Sequence, residues 1–350
     1  MESAAPIWAI LAITALKGLV VIFALLTAFA YMTWLERRLI GRFQVRLGPN
    51  RVGPFGLLQP LADGIKLFFK EDFMPKGADR LLYWLAPGIS MLVAFTAFAV
   101  IPFGPPEVKL LGVKLFQIAD PDAGVLFILA VASVGVYGII LGGWASNSKY
   151  PLLGSLRSSA QLISYELGVA LAIVGVILLA GTLRLPEIVA QQEGTLWGLL
   201  PRWNIFIQPL GFLLLLIGAT AEVNRSPFDL PEAEHELTAG YHTEYGGMKF
   251  AAFFVAEYVN LVTASALAVT LFLGGWQGPF VEQVPVLGLL WFVLKVFVFV
   301  FFFIWVRATL PRVRYDQLMA LGWKLLLPLA LINLAITSAI VLIWPELGGG

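Results

Sequence analysis

The sequence predicts an all-α membrane protein: a polytopic bundle of about eight transmembrane helices in one domain, with amphipathic helices along its cytoplasmic side. Three observations carry this. Of 350 residues, 59% are hydrophobic and 13% charged, and the mean hydropathy is +0.86, well above that of a soluble globular domain. The apolar runs are about 20 residues long, enough for a helix to cross, whereas barrel strands are about 10 residues long and alternate in polarity. Loops of Pro, Gly and charge separate the runs, with no internal repeat, low-complexity tract or linker between them.

The spans fall at about 7–34, 81–101, 123–144, 162–180, 205–221, 250–273, 287–306 and 325–344. The first is long enough to cross, and no separable signal peptide precedes it, so it is expected to stay in the mature protein. Lys and Arg set the orientation. The first, third, fifth and seventh connections carry 17 of them and the second, fourth and sixth carry 4. The odd connections are therefore expected to face the cytoplasm of a bacterial inner membrane, and both termini the opposite side.

The first connection contains its own helix. After the turn-forming GPNRVGPFG (48–56), the stretch 57–70 sets apolar Leu57, Leu58, Leu61, Ile65, Phe68 and Phe69 against a polar stripe of Gln59, Asp63, Lys66 and Lys70. Such a helix lies along the interface, against lipid, or beneath a partner. A second amphipathic piece, PRVRYDQLMALGWK (311–324), precedes the last span.

Three carboxylates lie in or at the ends of spans, in the cytoplasmic half. Glu166 is about 13 Å into the fourth span measured from Arg157, Glu257 about 10 Å into the sixth, and Glu222 closes the fifth. An acid facing hydrocarbon costs about 2.5–3.5 kcal/mol on insertion scales, so each must face the bundle interior, find a partner or stay protonated. One reading is a row of buried carboxyls that relays protons. The other is three structural acids, each neutral or paired. Lys295, in the middle of the seventh span, is the one deep cation and is a candidate to end or balance the row; Lys17 lies nearer the outer face, where a lysine can snorkel.

The densest acid cluster is AEVNRSPFDLPEAEHELTAGYHTEY (221–245), within the loop 222–249. Asp229 and Glu232 fit a D-x-x-E capping box at a helix start. Glu234, Glu236 and Glu244 are less well explained, with only Arg225 nearby to offset them. Pro227, Pro231, Gly240, Gly246 and Gly247 permit more than one loop conformation.

The chain has no cysteine and two histidines, His235 and His242, which leaves no iron–sulfur cluster or cysteine zinc site and no expected metal on this chain. Electron transfer would then occur on a partner or a diffusible carrier. No basic, aromatic-interleaved patch points to nucleic acid.

These residues resemble a known family. WLERRLIGRFQVRLGPNRVGPFGLLQPLADGIKLFFKED (34–72), WASNSKYPLLGSLRSSAQLISYE (144–166), the acidic stretch 221–245, FFVAEY (253–258) and VRATLPRVRYDQLMALGWK (306–324) resemble, in order, the quinone-site membrane subunit of respiratory complex I, called subunit 1 or H. The run RLGPNRVGPFGLLQPLADGIK is similar to the complex I branch rather than to the related energy-converting hydrogenases.

The resemblance implies a subunit that joins the peripheral electron-transfer arm to the membrane arm, lines a tunnel for ubiquinone or menaquinone, and starts the path coupling quinone reduction to proton pumping. Its implied partners are the soluble quinone-reducing and iron–sulfur subunits and adjacent membrane subunits. Carried over by position, Glu36, Arg37 and Arg46 belong to the first cytoplasmic motif. Arg37, Arg46, Asp63, Phe228 and Phe254 match the tunnel, and Glu166, Glu222, Glu232, Glu234 and Glu257 match the proton path. The third span carries no mid-span acid, although some members of the family place one there. Two other classes compete. A stand-alone H⁺ or Na⁺ transporter predicts repeated halves and paired broken helices, which the sequence lacks. A structural anchor has no need of buried acids.

Overall fold

A computed structural model describes residues 7–110, 112–196, 200–229 and 240–344. It is an all-α helix bundle in which seven of the described helices are long and apolar enough to cross a membrane. They are α1 (Ile7–Phe43), α3 (Arg80–Phe98), α4 (Gly124–Ala145), α5 (Lys149–Ala180), α9 (Gly247–Phe272), α10 (Leu287–Thr309) and α11 (Tyr315–Ile343). Shorter helices connect them: α2 (Gln59–Phe69), α6 (Leu185–Gln191), α7 (Asn204–Ile207) and α8 (Pro209–Glu222). The only strands among the described residues form two antiparallel hairpins, β1 (Lys109–Leu110) with β2 (Val113–Lys114) and β3 (Thr195–Leu196) with β4 (Leu200–Pro201).

Three boundaries differ from the sequence expectation. The fifth span is not one continuous helix: α7 and α8 meet at Gln208, whose φ of −128° and ψ of 61° lie outside the helical region. Pro209 brings no N–H and pushes the residue before it out of the α conformation, so α8 has only 14 residues. The fourth span starts early, because the polar stretch from Lys149 onward is already helical in α5. The amphipathic piece at 311–324 does not stand apart: from Tyr315 onward it is the start of α11, which continues through a π-helical turn, Leu321–Leu326, into the last span.

Local chemistry sets several helix ends. The Asp79 side chain accepts hydrogen bonds from the backbone N–H groups of Leu81 and Leu82, at 3.0 and 3.1 Å, and so caps α3. At the other end of α5, Gly181 takes φ 67° and its N–H donates to the Ile177 carbonyl at 2.8 Å, a left-handed stop that suits glycine.

The main core gathers α5, α8, α9 and α10, with Leu261, Leu271, Phe272, Leu214, Leu215 and Ile173 fully buried. Helix α9 is the most buried of the spans and α1 the least. At 37 residues, α1 is about 55 Å long, longer than the roughly 30 Å hydrocarbon core. Its last turns, from Glu36 onward, can therefore take part in chemistry at the membrane boundary. Close helix approach depends on missing side chains: a Cβ on Gly138 of α4 would collide with the Ser90 hydroxyl of α3, and one on Gly218 of α8 would collide with Val169 of α5.

Candidate functional site

The three acids picked out from the sequence line one interior cavity. Glu166 comes from α5, Glu222 from the end of α8 and Glu257 from α9, while α3 and α4 supply an apolar wall that includes Val93, Ile128 and Val136. The cavity measures about 110 Å³, room for several waters, and its lining also carries Ser90, Asn224, Asn260 and Thr263. Ser133 of α4 donates its hydroxyl to Glu166. Thus the third span, which has no acid of its own, contributes a polar contact to the acid of the fourth.

Two of the three acids have no ion pair among the described residues. Glu257 differs, because the Arg225 Nε lies 2.7 Å from its Oε1. Arg225 Nη1 also lies 2.6 Å from Glu36 Oε2, and the guanidinium sits over the Tyr258 ring at 4.3 Å. Tyr258 donates its hydroxyl to Glu36 Oε2 at 2.8 Å, and Arg307 of α10 pairs with Glu36 Oε1. One arginine on the loop after α8 therefore bridges α1 to α9.

Arg225 is 3% exposed, and burying a charge is costly unless it is paired and hydrogen-bonded. Burial works against its charged form, but Glu257 and Glu36 outweigh that and hold its pKa well above the ordinary arginine value. Within the cluster two carboxylates face two guanidinium groups, so the charge is balanced. Glu166 and Glu222 lie outside that balance.

The segment carrying Arg225 is clasped at several points. Gln161 of α5 donates from Nε2 to the carbonyls of Ala221 at 2.8 Å and Phe228 at 2.7 Å. Arg312 pairs with Asp229 at 2.7 Å, and the Val313 N–H donates to the Pro227 carbonyl at 3.0 Å. Phe228 is buried against Tyr165, with ring centroids 5.6 Å apart, and Tyr165 donates to the Leu318 carbonyl at 3.0 Å. Asp229 thus meets a cation from the connection between α10 and α11. Its expected capping partner Glu232, like Glu234, Glu236 and His235, lies outside the described residues.

The remaining candidates fall in three places. Arg37 and Asp63 pair at 2.8 Å, tying the end of α1 to α2, and Gln59 and Lys66 also reach Asp63. Arg37 and Arg46 line a surface depression of about 400 Å³ together with Arg51 and Gln59. Neither Phe228 nor Phe254 lines it. Phe254 is half-buried on α9, 4.6 Å from the Phe250 ring and 6.3 Å from Tyr258, one turn from the ion cluster.

The structure does not bring Lys295 to the cavity. Its ammonium donates to the carbonyls of Leu273, Gly275 and Gln277, at 2.6, 3.0 and 2.7 Å, closing the loop after α9. Lys17 acts similarly toward Lys114 and Gln117. His242 is buried edge-on to Tyr241, Phe250 and Phe254, and burial pushes its pKa down to about 4.

The pairings of Arg225, Glu36, Tyr258 and Arg307 had no local signal. Glu36 and Arg225 are 189 positions apart, and neither helical nor strand periodicity links them. The one visible hint was an acid followed by two arginines, Glu36-Arg37-Arg38, at the end of a long apolar run.

Comparison with known proteins bears on this arrangement. A family model described as NADH dehydrogenase matches residues 16–338. The chain is 55% identical over 333 residues to one of the H-type subunits of NADH-quinone oxidoreductase in Geobacter sulfurreducens, covering 95% of this chain and 97% of that one. It is 56% identical over 349 residues to the H-type subunit of the same enzyme in Deinococcus deserti, covering 98% and 87%. It is 54% identical over 343 residues to the H-type subunit in Thermomicrobium roseum, covering 96% and 98%.

Proposed function

We propose a proton-coupling role for this chain, which belongs to the NADH dehydrogenase family and is a membrane subunit of NADH:quinone oxidoreductase. The chain is an integral protein of the bacterial inner membrane and works with other complex I subunits. In the proposed orientation, the Lys- and Arg-rich connections face the cytoplasm and both termini face away.

Quinone, as ubiquinone or menaquinone, is the substrate of the assembly. Its reduction takes up two electrons and two protons, so charge must reorganise near the headgroup. Arg37 and Arg46, with Asp63 holding Arg37, are proposed to shape the field at the cytoplasmic mouth of the quinone path, and Phe228 and Phe254 to form apolar wall for it. The soluble partner subunits supply the electrons.

The single observation that carries the reading is the placement of Glu257. It lies on the acid-lined cavity and on the Arg225 cluster at once. A change of charge on the Arg225 side alters the field at Glu257, and Glu257 faces Glu222 and Glu166 across a space able to hold water. Protons then pass among these three carboxyls, each held in the bilayer by its neighbours rather than by bulk solvent. Glu232 and Glu234 are proposed to feed the row from the loop, and Lys295 to balance it from the far side.

The test is proton translocation per electron by the reconstituted complex carrying Glu222→Gln. The ratio is expected to fall with the complex still assembled; a wild-type ratio would remove the cavity from the path.

A further inference from the structure

We propose that Gln161 is the positioning residue that clasps the Arg225 segment to α5. This rests on the coupling role above for its consequence, although the clasp itself is a matter of geometry. One side-chain amide pins both ends of an eight-residue stretch, at the carbonyls of Ala221 and Phe228. Arg225 sits between those two points, where it reaches Glu36 and Glu257.

Between the pins the backbone turns sharply. Asn224 takes φ 55°, a left-handed conformation that asparagine tolerates, and its Oδ1 lies 3.4 Å from Gln161 Nε2. The Phe228 N–H donates back to the Arg225 carbonyl at 2.9 Å. If the amide let go, nothing else on α5 would hold this turn by hydrogen bonds among the described residues.

The orientation of the amide is settled by its partners. Nε2 has two N–H groups and faces two carbonyls, whereas a flipped amide would set oxygen against oxygen. Gln161 is fully buried, and its Oε1 is left without a hydrogen-bond partner. Burying an unsatisfied acceptor is unfavourable, and methionine would fill the same space without that cost. The polar residue therefore contributes something that packing does not, and the two donated bonds are what it contributes.

The same short stretch of α5 reaches further. Gln161 precedes Tyr165, which holds the Leu318 carbonyl, and Glu166, which lines the acid cavity. A displacement of the Arg225 segment is thereby transmitted to the helix that bears Glu166.

The absence of native cysteine gives a clean probe. Ser226→Cys is introduced into the intact complex with and without Gln161→Met, and labelling of this chain by a water-soluble maleimide is followed by mass spectrometry. Loss of two buried hydrogen bonds is expected to speed labelling by about tenfold or more, and to lower kcat for quinone while NADH oxidation by an artificial acceptor is unchanged. Unchanged labelling in Gln161→Met overturns the clasp. Faster labelling with normal kcat and normal pumping leaves the clasp standing and instead removes the coupling role beneath it. Should Gln161→Met fail to assemble, Gln161→Asn keeps the amide but withdraws it by one carbon, and predicts the same direction with a smaller rise; no rise there also overturns the clasp.

Discussion

Arg225 and Glu257 meet at 2.7 Å, one on the loop after α8 and the other on α9. The contact joins a balanced ion cluster to a cavity whose other two acids have no cation among the described residues. A buried pair of this kind is weak evidence for stability, since desolvation offsets much of the attraction. Its value lies in making the charge state of one side felt on the other.

Replacing Glu257 with Gln keeps the shape and removes the titrating group. Quinone-linked turnover is expected to fall by at least about tenfold, while NADH oxidation by an acceptor that bypasses quinone stays normal. Near-wild-type turnover and pumping in that variant would take Glu257 off the path.

Arg225→Lys keeps the charge and loses the fork. A single ammonium cannot reproduce the contacts to Glu36 and Glu257 together with the ring face of Tyr258. Leaving one carboxylate of a buried pair uncompensated costs about 3–5 kcal/mol. The thermal midpoint of the purified complex is expected to drop, and an unchanged midpoint would show that the cluster relaxes freely.

His242 provides a pH prediction. Its pKa is about 4 in the folded chain against an ordinary value of 6.5. Because the neutral form is the buried one, its contribution is fully present above pH 6.5 and is lost as pH falls toward 4. The size is on the order of 3 kcal/mol. His242→Phe is expected to flatten this part of the stability profile, read as inactivation temperature against pH; an equal slope in the variant would assign the acid sensitivity to other groups.

Lys295 separates two roles. Lys295→Met leaves three carbonyls of the loop after α9 without their donor, at about 1–3 kcal/mol for each group left unsatisfied. Lower stability with a normal proton ratio in the surviving complex would mark an anchor only. A lower proton ratio in the surviving complex, beside the loss of stability, is what the proposed charge-balancing role predicts.

Much of this architecture was legible in the chain because length and polarity decide it. Runs of about 20 apolar residues had to become helices, and Glu166, Glu222 and Glu257 had to avoid lipid, so their convergence on one cavity follows from the cost of exposing them. The break at Gln208 was written in the Gln208-Pro209 dipeptide, yet the apolar run across it masked the signal. The early start of α5 was hidden because its first turns are polar. Arg225 was the larger omission: its partners Glu36 and Glu257 come from two different helices, and only tertiary packing brings all three together. Lys295 looked deep by position but reaches back to the loop that closes α9, a contact no local pattern encodes.

Quinone reduction is expected to change the protonation of the carboxyls around this cavity. Redox-difference infrared spectroscopy of the intact complex, with quinone oxidised and then reduced by NADH, reads that change directly. A protonated-carboxyl band is expected that differs between the two states in the wild type and is lost in Glu222→Gln. A difference spectrum with the same carboxyl band in wild type and variant would contradict it.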